Sequence, residues 1–160
     1  MIKETQNIAL IGMPGCGKST IGKILAKELK RPLADIDKLI EAAAKKSTPQ
    51  IFEEDGEETF RRLETRVLGE ETAKSGIVIA AGGGIVTRPE NLNLLRRNCL
   101  IIYLKRDLSE LETSGRPLSQ SVGIQALAKV RLPLYEAWSD YIIETEACPE
   151  QTAVKILNLV

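Results

Sequence analysis

The chain contains no histidine. That removes the side chain most often used as a general base, and with it histidine-dependent hydrolysis and most metal-ligand sets. Its three cysteines, Cys16, Cys99 and Cys148, are too few and too scattered for a disulfide framework or a zinc site. Reduced thiols in the cytoplasm are the expected state. No apolar run approaches the length of a membrane span, and the opening MIKETQNIALIG carries too short an apolar stretch for a secretory signal. An excess of either charge is also missing, since 22 Lys and Arg face 22 Asp and Glu. No whole-chain field therefore favours nucleic acid or an anionic membrane. Any chemistry has to come from carboxylates, arginines, lysines, backbone groups and a bound cation.

What the chain does have is alternation. Its 160 residues predict a single domain over 1–160 with one substantial core. Short runs rich in Ile, Val and Leu read as strands: NIALI (7–11), PLAD (32–35), IVIAA (77–81), CLIIYL (99–104) and DYIIE (140–144). Near-continuous apolar runs suit parallel strands covered on both faces. Ile21, Ile24, Leu25 and Leu29 repeat at helical spacing, as do Phe60, Leu63, Val67 and Leu68, with Gly76 as the expected stop. Ser47 or Thr48 followed by Pro49 reads as a helix start. Strand and helix in turn predict an α/β fold with a largely parallel sheet.

The stretch GMPGCGKST, Gly12 to Thr20, follows the first strand and satisfies G-x-x-x-x-G-K-[ST] through Gly12, Gly17, Lys18 and Ser19. Its glycines let successive N–H groups converge on a phosphate, and the following helix adds its positive end. Lys18 supplies charge to the β- and γ-phosphates of a nucleotide, and the Ser19 hydroxyl can ligate Mg²⁺. Cys16 contributes backbone to this loop. A helix N-terminus can activate a thiol, but an inert loop residue is the simpler reading, and Cys16 receives no catalytic role.

Other groups are ambiguous singly. Asp35 and Asp37 end the second strand, where one could reach a metal-bound water and the other an incoming hydroxyl; acidic pairs also cap helices. Arg61 and Glu64 share a helix face, either to grip a substrate carboxylate or as a solvated ion pair. Gly82, Gly83 and Gly84 follow the third strand and expose bare backbone suited to a small ligand. Arg116, in the polar stretch TSGRPLSQSVG, could swing onto transferring phosphates, and Arg131 precedes a proline-broken helix.

In order and spacing, GMPGCGKSTIG, DID, IFEEDGEETFRRLE, GGG, GRPL and RLPLYE resemble the shikimate kinase family over almost the whole chain. The resemblance implies a P-loop three-layer sandwich with a five-stranded parallel sheet. It also implies substrate-binding helices at about 37–75 and a lid at about 108–123. It implies that ATP phosphorylates the 3-hydroxyl of shikimate, with Mg²⁺, on the way to chorismate. ATP would meet Gly12, Pro14, Gly15, Cys16, Gly17, Lys18, Ser19, Thr20 and the lid arginine Arg116. Ser19 would bind Mg²⁺ directly and Asp35 through water. Shikimate would meet Asp37 as the base for its hydroxyl, Arg61 and Arg131 through its carboxylate, and the Gly82–Gly84 backbone. Glu64 would support Arg61. Lys18, Asp37 and Arg116 form the implied catalytic set. The chain departs from the family pattern at Leu111, in SQSVG after the GRPL motif, and in ETEACPEQ, where arginines or apolar residues are usual. A kinase for another hydroxy acid such as gluconate, and an inactive nucleotide-binding module, are the competing readings. A monomer without nucleic-acid or membrane partners is expected.

Overall fold

The computed structural model describes residues 2–111 and 123–160. Five strands alternate with helices: β1 (Asn7–Ile11), β2 (Leu33–Asp35), β3 (Val78–Ala80), β4 (Cys99–Lys105) and β5 (Tyr141–Glu144). The helices are α1 (Lys18–Leu29), α2 (Ile36–Ala44), α3 (Thr48–Glu54), α4 (Glu57–Thr72), α5 (Pro89–Arg96), α6 (Ile124–Trp138) and α7 (Pro149–Leu157). A 3₁₀ turn, Gly83–Thr87, follows β3.

All strand pairs are parallel, in the order β2-β3-β1-β4-β5. The alternation of side chains along β1 divides the core in two. Ala9 and Ile11 join a cluster with Phe60, Leu68, Tyr103 and Tyr135 from α4, β4 and α6. Ile8 and Leu10 join the other, with Leu25 of α1 and Ile156 of α7. Helices thus cover both sheet faces, which is what continuous apolar strands require.

The order places β1 between β3 and β4, so the chain leaves the sheet in opposite directions on either side of it. A crevice opens beyond the carboxyl ends of the strands at such a switch point. Each of the first three strands delivers a candidate segment there: the phosphate loop after β1, Asp35 and Asp37 after β2, and the glycines after β3.

Three local expectations differ from the structure. β5 lies at the sheet edge with Tyr141 and Ile142 43% and 48% exposed, so its apolar run is not covered on both faces. Helix α6 runs through Pro133 without a break. The ring removes one backbone bond, and the buried residues Arg131, Tyr135 and Trp138 hold the helix on both sides of it. Helix α4 ends at Thr72, and Gly76 instead forms the turn before β3 at φ +70°.

The start at Ser47 is as expected. Its side chain accepts from the Gln50 N–H while Gln50 reaches back to the Ser47 N–H, a reciprocal capping box. Helix α3 contributes Thr48, Pro49 and Phe52 to the wall of the crevice. Ser47→Ala should cost about 1 kcal/mol in urea unfolding.

Candidate active site

A cavity of about 550 Å³ occupies the crevice. The phosphate loop forms one end through Pro14, Gly15, Gly17, Lys18, Ser19 and Thr20. Gly17, at φ 101°, caps α1, so the helix N-terminus opens onto the cavity. Lys18 is buried and donates to the carbonyls of Gly12 at 2.7 Å and Met13 at 3.0 Å. Gly12 sits behind the loop, where a Cβ would meet the Leu104 carbonyl oxygen at 2.7 Å and Cys16 Sγ at 2.8 Å. Cys16 is buried there too, its Sγ accepting from Lys18 Nζ at 3.8 Å.

Asp35 serves two purposes. One oxygen accepts from the Lys38 N–H and caps α2, while the other accepts from Ser19 Oγ at 2.6 Å. The capping and phosphate-site readings of this residue therefore hold together. Two oxygen donors beside a phosphate loop suit a hard cation that keeps waters and phosphate oxygens in its remaining positions. Among the described residues no cluster of three or more His, Cys, Asp or Glu offers an all-protein metal cage.

Asp37 is half-buried on the cavity wall. Withdrawal from water pushes its carboxyl above the ordinary value; Asp35 and Glu41 push the same way, against the pull of Lys18 and Arg61. The ionised form is thus costly in the folded state but well placed to take a proton.

The far end of the cavity is cationic. Helix α4 faces the core with Phe60, Val67 and Leu68, and the same face carries Arg61 and Glu64 inward. Arg61 is 6% exposed, Arg131 from α6 4%, and Glu64 fully buried. Arg61 Nη1 donates to Glu64 Oε1 at 2.8 Å, so this is not a solvated surface pair. Burial nevertheless raises the Glu64 carboxyl, with Arg61 pulling against it. Glu64 Oε2 is buried with no hydrogen-bond partner among the described residues. Burial lowers the Arg131 guanidinium from its ordinary value, and the nearby Arg61 charge adds to that effect. Glu57, half-exposed, also accepts from Arg61 Nε and Nη2 at 3.4 Å. Glu64 is the one buried carboxylate of the pair, and Arg131 beside it adds positive charge that an anionic ligand would complete.

The glycines make this packing possible. A Cβ on Gly84 would fall 2.2 Å from Arg61 Nη1, and one on Gly82 would fall 2.7 Å from Glu64 Oε2 and 2.8 Å from Asp37 Oδ1. On Gly83 it would meet Pro14 of the phosphate loop at 2.7 Å. All three line the cavity.

The structure thus brings together the loop residues Pro14, Gly15, Gly17, Lys18, Ser19 and Thr20 with Asp35, Asp37, Arg61, Glu64, the three glycines and Arg131. Arg116 and most of the expected lid lie outside the described residues. Phe52, Phe60 and Arg106, for which the sequence suggested no individual site role, also line the cavity. The two phenylalanines pack at a ring separation of 4.9 Å and supply an apolar wall. Their signal was their place within IFEEDGEETF; Arg106 carries none.

A phosphate loop facing a small polar pocket with a carboxylate at its wall and buried arginines at its end defines a P-loop phosphotransferase acting on a small anionic acceptor. The shikimate kinase family model matches residues 14–160. A shikimate kinase of Dehalococcoides mccartyi is 40% identical over 159 residues, covering 93% of this chain and 90% of that protein. One from Legionella pneumophila is 42% identical over 154 residues, covering 91% and 88%. The solved shikimate kinase of Acinetobacter baumannii in complex with shikimate superposes with a TM-score of 0.91 at 36% identity, covering 97% of this chain and 92% of that one. The chain belongs to the shikimate kinase family.

The Asp37 geometry has a consequence for stability. Its raised carboxyl value means the neutral form favours folding, a contribution present at low pH and lost as pH rises through the folded-state value. At neutral pH Asp37→Asn should therefore melt above the parent protein in calorimetry, while losing most of its turnover.

Proposed function

We propose that this chain transfers the terminal phosphoryl group of ATP to the 3-hydroxyl of shikimate, giving ADP and 3-phosphoshikimate. The observation that carries the reading is the shared cavity, with a phosphate loop at one end, two buried guanidiniums at the other and Asp37 on its wall. Arg61 and Arg131 bind the carboxylate of the acceptor, and backbone groups of Gly82–Gly84 bind its ring hydroxyls. The apolar faces of Phe52 and Phe60 cover the ring. This anchoring turns the 3-hydroxyl toward the γ-phosphate, which converts a bimolecular encounter into a positioned one.

Asp37 takes the proton as the hydroxyl oxygen bonds to phosphorus and the bond from phosphorus to the β,γ-bridging oxygen breaks. Lys18 and the N–H groups of the loop hold the charge that builds on the phosphates. Gly12, Pro14, Gly15, Cys16, Gly17 and Thr20 shape that loop, and Arg116 closes over it from the lid. Ser19 and, through water, Asp35 would hold Mg²⁺. The cation would supply charge neutralisation on the phosphates. Glu64 holds Arg61 in register for the carboxylate.

The enzyme works as one domain, as a monomer in the cytoplasm, on shikimate and ATP, without nucleic acid or membrane. Its balanced charge, with no whole-chain field toward nucleic acid or an anionic membrane, supports that reading.

The test is ADP release by the purified protein with Mg²⁺-ATP and shikimate, gluconate or no acceptor. Release should depend on shikimate alone. Release with gluconate in its place would move the protein to another acceptor, and silence with every acceptor in folded protein would favour a nucleotide-binding module without catalysis.

A further inference from the structure

Tyr135 has no role in the site as described so far, yet it touches two of its parts. On α6 it lies one turn beyond Arg131, and both side chains are buried on the face turned to the glycine turn. Its hydroxyl donates to the carbonyl oxygen of Gly83 at 2.5 Å. The Arg131 guanidinium, one turn back on the same helix, is near enough to be felt at this hydroxyl. A phenol has one proton to give, so with that proton on Gly83 its oxygen can only accept, a polarity that suits a neighbouring guanidinium. Burial holds the phenol protonated by pushing its value well above the ordinary one; the titratable groups facing it are Arg131, Cys16 and Tyr103. The ring itself is fixed against Tyr103, centroid to centroid 5.2 Å.

The geometry of the peptide group carries this contact into the cavity. The Gly83 carbonyl and the Gly84 N–H belong to one planar trans unit and point in opposite directions. Anchoring the carbonyl therefore aims the N–H. Pro14 on one side and Arg61 on the other leave that unit no room for a side chain. The first N–H groups of a 3₁₀ turn have no partner within the turn, so this one is free to serve a ligand.

We propose that Tyr135 is a positioning residue for the acceptor, its hydroxyl anchoring the hydroxyl-binding Gly83–Gly84 peptide to the helix that carries the carboxylate-binding Arg131, so that the two are held at one fixed separation. Removing the hydroxyl takes its donor from the Gly83 carbonyl and a polar neighbour from Arg131. Both ends of the acceptor site then loosen, while the phosphate loop keeps its own contacts. This inference rests on the shikimate reading above.

The test is Tyr135→Phe, which keeps the ring, titrated calorimetrically with shikimate and separately with Mg²⁺-ADP beside the unaltered protein. The shikimate Kd and KM should rise about tenfold, with a smaller fall in kcat and an Mg²⁺-ADP Kd within about twofold of the parent. Combined with Arg131→Lys, the loss should be smaller than the product of the two single losses. An unchanged shikimate Kd in Tyr135→Phe would overturn the proposal, as would fully independent effects in the double variant. Equal weakening of both ligands with a lower Tm would also overturn it, by making Tyr135 a purely structural residue. If the Phe variant does not fold, 3,5-difluorotyrosine at position 135 keeps ring and hydroxyl but ionises more readily. The shikimate Kd should then climb with pH while that of Mg²⁺-ADP does not, and a pH-independent shikimate Kd would overturn the assignment. An unaltered protein that fails to bind shikimate would sink the functional reading itself and this inference with it; binding by the parent with an unchanged Phe variant sinks the inference alone.

Discussion

The ion pair between Arg61 and Glu64 sets the terms for the rest of the site. Both groups are taken out of water, Glu64 completely, and a second guanidinium from Arg131 stands close enough to be felt electrostatically. Such an arrangement is expensive to assemble, because desolvation of each ion opposes the attraction between them. It can be sustained only by a helix firmly seated in the core, and Phe60, Val67 and Leu68 seat α4 on the same face that carries the pair. It also needs a neighbour without side chains. The guanidinium occupies the volume that a Cβ on Gly84 would claim, and the carboxylates of Glu64 and Asp37 crowd the corresponding volume at Gly82. The three glycines are therefore packing partners of the charged groups as much as a surface for a ligand.

The sheet order makes those parts converge. With β1 between β3 and β4, the phosphate loop and the glycine turn leave neighbouring strand ends, and Pro14 rests against Gly83. The acidic residues come from the next strand along, β2. Nucleotide and acceptor ends of the cavity are thus built from three adjacent strand ends, with α4 and α6 bringing the arginines from outside the sheet. Stability and chemistry pull apart at this place. The carboxylate at Asp37 and the pair at Glu64 are held where their charged forms are costly, and the hydrophobic clusters on both sheet faces offset that cost.

Much of the frame was legible because its signals are local. Strand limits read from apolar runs agree with the structure to within two residues, and the phosphate loop and the Ser47 helix start follow from short-range backbone chemistry. The acidic pair and the glycines were visible as candidates for the same reason. What escaped depends on partners distant in the chain. Spacing alone favours a surface pair for Arg61 and Glu64, and only the family resemblance assigned them to the site, since it is the packing of α4 that turns them inward. Pro133 reads as a break, yet tertiary contacts on both flanks carry α6 through it. The link from Tyr135 to Gly83 spans 52 residues and leaves no trace in spacing. β5 looks like an interior strand by composition and is an edge strand by topology.

In the function proposed for this chain, the buried guanidiniums of Arg61 and Arg131 are there to receive a carboxylate. Calorimetric titration of the protein with shikimate and with its methyl ester tests that directly, since the two ligands share a ring and hydroxyls and differ in the charge. Charged hydrogen bonds of this kind predict an ester bound about 100-fold more weakly or not at all. An ester that binds as tightly as the acid would contradict the account, leaving Arg61 and Arg131 as structural cations and the acceptor site without its anchor.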